Sequence, residues 1–234
     1  MDLAAARGWP ALAVGTGVVT SDIAKSTIIP PGMQVPVRRA GVVGLQGDVS
    51  EHIDALGRAF HEMGVKGEVI WVRRPPDLER VDALVIPGGE STTISKLLLR
   101  FGLFDHVRER ALHGMPMLGT CAGMIVMCKE GDEQVGRTAT RLLGLVDAEV
   151  DRNAFGRQRE SFEADLAVEG IAAPPVHAVF IRAPAIKRTW GDCAPIARLE
   201  GWTVMARQGE MLVASFHPEL TRDTRVHRML LERL

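Results

Sequence analysis

From Ala40 onward the chain alternates short apolar runs with longer stretches in which apolar residues recur at helical spacing. Residues 41–45 (GVVGL) form an apolar run of strand length, and Gln46-Gly47-Asp48 reads as the turn out of it. Val49, Ile53, Leu56, Phe60 and Met63 then share one helical face, with Gly64 as the stop. Residues 68–72 predict a second strand, broken by Pro75-Pro76, and residues 83–86 (ALVI) a third, ending in Pro87-Gly88-Gly89-Glu90-Ser91. Ile94, Leu97 and Leu98 mark another helix, residues 104–112 a further short one, and residues 115–118 a fourth strand. Strands that are apolar throughout are buried on both faces, so the expected class is α/β, a mostly parallel sheet with helices on both sides. Ligands of such sheets gather beyond the carboxyl ends of the strands. Three loops then share one rim: residues 46–48, 87–91 and 119–123.

The second half of the chain is richer in strand patterns. Residues 146–152, 161–168 and 176–182 read as strands, the first two separated by the polar stretch 153–158. Residues 196–199, 203–207 and 211–216 predict consecutive antiparallel strands turning at Gly201 and Gly209, and a terminal helix spans 221–234. Residues 1–37 differ, with scattered glycine and proline and no sustained period. They are expected to form a disordered extension, because Asp2 offsets Arg7 and glycines interrupt the only apolar run a signal peptide could use. Residues 38–234 are expected to form a single domain.

Composition narrows the class without changing it. A hydrophobic fraction of 46%, a charged fraction of 24% and a net charge of -1 belong to a globular protein with no basic block, so electrostatics make no case for nucleic acid. Three cysteines without C-x-x-C spacing indicate neither a disulfide framework nor a zinc site, and reduced thiols point to the cytoplasm. No apolar run has the length of a membrane span.

The chemistry centres on Gly119-Thr120-Cys121-Ala122-Gly123, where a strand pattern passes into a helix pattern. A cysteine between two glycines at such a junction reads as a nucleophile elbow. There the helix N-terminus favours negative charge on sulfur, and free N–H groups lie near enough to hold an oxyanion. A thiol nucleophile needs a base, and the base an orienting partner. Of seven histidines, His52, His61, His106 and His113 fall on helix patterns and are assigned to solvent, while His177 and His227 have no acidic or cysteine companion in a suggestive place. His217 follows a strand pattern and begins His217-Pro218-Glu219, which in extended backbone puts imidazole and carboxylate on one face. Cys128 is expected in the core of the helix after the elbow, and Cys193 in a loop.

G-T-C-A-G followed downstream by H-P-E resembles the class I, or triad, glutamine amidotransferases of flavodoxin-like fold. More narrowly, residues 45–48 (LQGD), 87–93 (PGGESTT), 151–158 (DRNAFGRQ), 161–163 (SFE), 180–184 (FIRAP) and 215–221 (SFHPELT) resemble the glutaminase subunits of pyridoxal 5′-phosphate synthase. The resemblance implies that Cys121 attacks the carboxamide of L-glutamine, His217 moves the proton and Glu219 orients the imidazole. It implies an oxyanion hole from the backbone of Gly89 and Ala122, and substrate contacts from Gly89, Glu90, Ser91, Arg152, Ile181 and Arg182. Either arginine, 152 or 182, could clamp the substrate carboxylate. No cofactor and no metal are implied for the hydrolysis. The implied partner is the synthase (lyase) subunit that receives the ammonia within a large heteromeric complex. Such glutaminases are poorly active alone, which a loop such as residues 87–91 would explain if it enters register only on docking. A glutaminase serving another synthase, a cysteine peptidase and a silent regulatory subunit are the competing readings.

Overall fold

In the computed structural model the described residues are 37–152, 154–156 and 160–234. The expectation for residues 1–37 therefore lies, Val37 apart, outside the described residues, as do Asn153, Arg157 and Gln158 of the polar motif. The first half builds β1 (Arg38–Val43), α1 (Val49–Glu62), β2 (Gly67–Val72), α2 (Pro75–Leu78), β3 (Ala83–Ile86), α3 (Ser91–Arg100), α4 (Leu103–Leu112) and β4 (Met117–Thr120). It continues through α5 (Ala122–Met127), β5 (Cys128–Gly131), α6 (Glu133–Arg137) and β6 (Val146–Asp151). Then follow β7 (Ser161–Leu166), β8 (Val176–Ile181), β9 (Ala185–Thr189), β10 (Ala194–Leu199), β11 (Trp202–Gln208), β12 (Met211–Ala214), a 3-10 turn (Pro218–Leu220) and α7 (Arg225–Leu231).

One ten-stranded sheet organises these elements in the order β2-β1-β3-β4-β12-β11-β9-β6-β5, with β10 on β11, while β7 and β8 form a separate pair. β2, β1, β3, β4 and β12 run parallel, and the sheet turns antiparallel from β12 through β11 and β9 to β6. Apolar residues on successive strand positions feed opposite faces. Leu84, Ile86, Met117 and Val213 pack with α3, α4 and α5, whereas Val42, Val85, Leu118 and Leu212 pack with α1 and α7. That two-sided burial is what the unbroken apolar runs predict. Among the described residues no helix is long and apolar enough to cross a membrane.

Several boundaries differ from the sequence expectation, each for a local reason. β1 leaves the sheet after Val43, earlier than the apolar run implies, and only the Gly44 N–H still reaches Val72 O, at 2.9 Å. Cys128 does not continue the elbow helix: its ψ of 158° is extended, α5 ends at Met127 and a new strand begins. β9 (AIKRT) went unseen because its polar half breaks the apolar pattern, although it joins β6 to β11. The last helix is also shorter than 221–234, since Asp223 Oδ1 takes the Arg225 N–H at 3.0 Å and delays its start.

The register of β12 is what positions the site. Leu212 lies opposite Leu118, Val213 opposite Gly119 and Ala214 opposite Thr120. The two strands therefore end together, one delivering Cys121 and the other, three residues later, His217.

Candidate active site

Cys121 turns the chain from β4 into α5 with φ 47° and ψ −106°, a left-handed conformation that is strained for a residue with a side chain. The turn is held by the Cys121 N–H, which donates to Ala214 O of β12 at 2.8 Å. It also needs its glycines. A Cβ on Gly123 would stand 2.0 Å from Ile86 O, and one on Gly119 2.6 Å from Met127 Sδ. The elbow is thus a close approach of the α5 backbone to β3, which only glycine permits. Cys121 is 8% exposed, and its Sγ lies 4.0 Å from Ile181 O.

His217 and Glu219 do meet, but not through an extended backbone as the sequence reading held. Pro218–Leu220 is a 3-10 turn, and the pair is joined across it, His217 Nδ1 lying 2.7 Å from Glu219 Oε1. Asp48, just before α1, brings Oδ2 to 3.3 Å from the same Nδ1. Two carboxylates on one nitrogen fix the proton there and leave Nε2 as the ring atom that can serve Cys121, which lines the same cleft. Burial opposes charge on His217, but hydrogen bonds to Asp48, Cys121 and Glu219 outweigh it and hold the imidazole at about 12. Burial pushes the Glu219 carboxyl upward while His217 pulls it back. With the imidazole so close, the ionised pair is the state this geometry holds. Asp48 sits below its ordinary value, chiefly through its hydrogen bond to His217.

Close contacts account for the glycine pair Gly88-Gly89. A Cβ on Gly88 would lie 2.5 Å from His217 Cε1 and 2.8 Å from Asp48 Oδ2; one on Gly89, at φ 145°, would strike Gln46 Oε1 at 2.5 Å. Gly88 thus makes room for the imidazole and its carboxylate.

A cleft of about 440 Å³ opens beside Cys121, and Gly89, Glu90, Ser91, Ala122, Arg152, Ile181, Arg182 and His217 line it. It brings together the residues that the sequence predicted for substrate binding. Their environments separate the two arginines. Arg152 is largely buried, with Nη2 3.5 Å from Glu90 Oε1 and Nη1 buried without a partner among the described residues. Arg182 is exposed, at φ 43° just beyond β8. Ser91 Oγ is also buried without a partner among the described residues. Glu90 has a structural duty that the sequence reading missed: it caps α3, accepting from Thr92 N at 3.1 Å and Thr93 N at 2.6 Å. These bonds hold its carboxyl below the ordinary value against the upward push of burial.

Two histidines, His52 and His177, depart from the sequence reading. His52 and His227 are completely buried, with His52 Nδ1 3.0 Å from His227 Nε2. The contact joins residues 175 apart in the chain, so helix periodicity gave no signal of it beyond a polar residue on each apolar face. His177 does have acidic companions, Glu163 and Asp165, each at 3.0 Å on the exposed face of the β7–β8 pair. Asp48, inside the Leu45–Asp48 motif, had no role assigned and proves to share the imidazole.

A cysteine elbow on a parallel sheet, facing a histidine and a glutamate from the neighbouring strand end, belongs to the flavodoxin-like class I glutamine amidotransferase fold. A solved structure described as a glutamine amidotransferase matches with a TM-score of 0.74 at 48% identity, over 83% of this chain and 97% of that one. The chain belongs to the SNO glutamine amidotransferase family, whose profile matches residues 42–234. A protein of Archaeoglobus fulgidus is 51% identical over 194 residues, 83% of this chain and 97% of its own length. One of Methanosarcina mazei is 50% identical over 196 residues, covering 84% and 98%. Both bear the name pyridoxal 5′-phosphate synthase subunit PdxT.

Proposed function

We propose that the chain is the glutaminase subunit of a pyridoxal 5′-phosphate synthase, hydrolysing L-glutamine to L-glutamate and ammonia in the cytoplasm. The ammonia passes to a synthase subunit within a heteromeric complex. The 48–51% identity to relatives named as subunits of that enzyme, over nearly their full lengths, supports the partner. The observation that supports the chemistry is the paired ending of β4 and β12, with Cys121 beyond one strand, an imidazole held by Glu219 beyond the other, and both lining one cleft.

Cys121 attacks the carboxamide carbon of glutamine as a thiolate. The oxyanion forms against the N–H of Ala122, the first residue of α5, and that of Gly89. The Asp48 N–H donates to the Gly88 carbonyl at 3.3 Å, so the trans peptide carries the Gly89 N–H on the opposite side. His217 gives its proton to the leaving ammonia. Acylation removes the charge on sulfur, one of the groups that favour the imidazolium, and so eases this transfer. The neutral ring then activates the water that releases glutamate, while Glu219 holds its orientation. Arg152 is the carboxylate clamp, because this largely buried guanidinium lines the cleft and Glu90 steadies it. Ser91 Oγ and the Ile181-Arg182 backbone complete the contacts to the amino-acid end.

Ammonia release from glutamine, measured with and without the purified synthase subunit, tests the reading. Wild type should be stimulated by that subunit, and Cys121→Ala should lose hydrolysis while still binding the partner. Stimulation only by a synthase of histidine biosynthesis, or turnover that survives Cys121→Ala, would overturn it.

A further inference from the structure

Behind the triad lies a chain of polar groups that the proposed chemistry does not use. His52, from α1, and His227, from α7, are both completely buried. His52 Nδ1 is 3.0 Å from His227 Nε2, and His52 Nε2 is 3.0 Å from Thr120 Oγ1. The same Nε2 lies 3.3 Å from Glu219 Oε2, the carboxylate oxygen that His217 does not use. That oxygen is buried without an aligned donor among the described residues. Thr120 immediately precedes Cys121. His52 thus touches both the orienting carboxylate and the strand end that carries the nucleophile, and His227 touches His52.

The contacts determine where the protons sit. His227 Nδ1 is buried with no partner among the described residues, so a proton there would be an unpaired donor in the core. The His227 proton therefore resides on Nε2, which donates to His52 Nδ1. A neutral His52 that accepts at Nδ1 must carry its own proton on Nε2. The reverse tautomer would leave the Nε2 lone pair within 3.3 Å of the Glu219 Oε2 anion, a repulsive contact that Nε2–H turns into an attractive one. Desolvation keeps both rings uncharged: it holds His52 well below its ordinary value and, with Arg58 nearby, takes His227 down to about 3.

We propose that His227 and His52 form a tautomer relay in which His227 Nε2–H locks His52 with its proton on Nε2, turning that N–H dipole toward Thr120 and the outer oxygen of Glu219. Both are positioning residues: they hold the carboxylate that holds His217. The inference rests on the reading of His217 and Glu219 as the working pair, and it adds a second layer that fixes Glu219 as an ionised acceptor. In a buried site such a layer matters because no water replaces a missing donor.

The test uses the full chain together with its synthase subunit. The ¹⁵N resonances of wild-type protein should show His52 and His227 each protonated on Nε2 and bare on Nδ1. His52→Leu should lower kcat by about tenfold or more, the worth of one hydrogen bond or close dipole to a charged group, with KM for glutamine nearly unchanged. His52→Gln, whose amide N–H can take the place of Nε2–H, should restore most of kcat. His227→Leu should cost less, since it removes only the group that selects the tautomer. A proton found on Nδ1 of His52 overturns the relay, as does His52→Gln losing as much kcat as His52→Leu while melting like wild type. The resonances decide the matter even where a variant fails to fold. Cys121→Ala that keeps turnover would instead overturn the triad reading, leaving the tautomer result to stand or fall separately.

Discussion

His217 draws its charge from groups on three separate pieces of chain: Asp48 before α1, Cys121 at the elbow and Glu219 in the 3-10 turn. Its folded value of about 12 lies above the ordinary 6.5, so the folded state binds more protons than the unfolded one between those limits. The stabilisation is complete below about pH 6.5 and is lost as pH rises toward 12. Urea unfolding across this range should show stability falling with pH in wild type, and His217→Asn should lack that share of the slope. In kinetics, Glu219→Gln should slow glutamine hydrolysis less than His217→Asn, because the glutamate orients the ring whereas the imidazole transfers the proton. Steady-state rates with the synthase subunit check the order; equal losses would mean the roles are misassigned. A glutamine-mimic electrophile should label Cys121 alone. Burial pushes the Cys128 thiol far up, and burial with nearby Asp147 takes Cys193 to about 11, so neither offers a thiolate at neutral pH. Peptide mapping by mass spectrometry reads the label.

At the scale of elements, the junctions carry the strain and the function together. α5 lies so close to β3 that Gly123→Ala would drive a Cβ into Ile86 O, and the elbow would have to move. The expected cost is about 1–3 kcal/mol, the usual range for overpacking, with a larger proportional loss of activity than of stability. Thermal melts and ammonia release on the same variant separate the two. The cap of α3 offers a milder case. Glu90→Ala removes the acceptor for Thr92 N and Thr93 N, costing about 1 kcal/mol. It also frees Arg152, so KM for glutamine should rise more than kcat falls. The motif PGGESTT thus serves two purposes, since Glu90 ends a loop that lines the cleft and begins a helix that supports it.

At the scale of the molecule, β12 joins the two halves by entering between β4 and β11, and α7 then returns to cover the α1 face. Val226, Leu230 and Leu231 of α7 are buried there. At about 1.5–3 kcal/mol for each buried aliphatic side chain, α7 contributes on the scale of the whole stability of a domain, about 5–15 kcal/mol. A chain ending at Thr224 should therefore lose its cooperative thermal transition, and calorimetry would show it.

The local features of this protein were legible in its sequence because they depend on neighbours in the chain. Unbroken apolar runs marked the parallel strands, helical periodicity marked α1, α3 and α4, and glycines flanking Cys121 marked the elbow before any coordinates were needed. The motif residues around Cys121, Glu90 and His217 do line one cleft. What the chain did not reveal depends on register and on contacts between distant segments. A 3-10 turn replaced the extended His217–Glu219 segment, Asp48 joined the imidazole from another loop, and His52 met His227 inside the core instead of facing solvent. One polar residue on an apolar helix face looks the same whether water or a buried partner waits for it. Only the packing of α1 and α7 against the end of β4 decides which, because burial and hydrogen-bond partners are properties of the assembled fold.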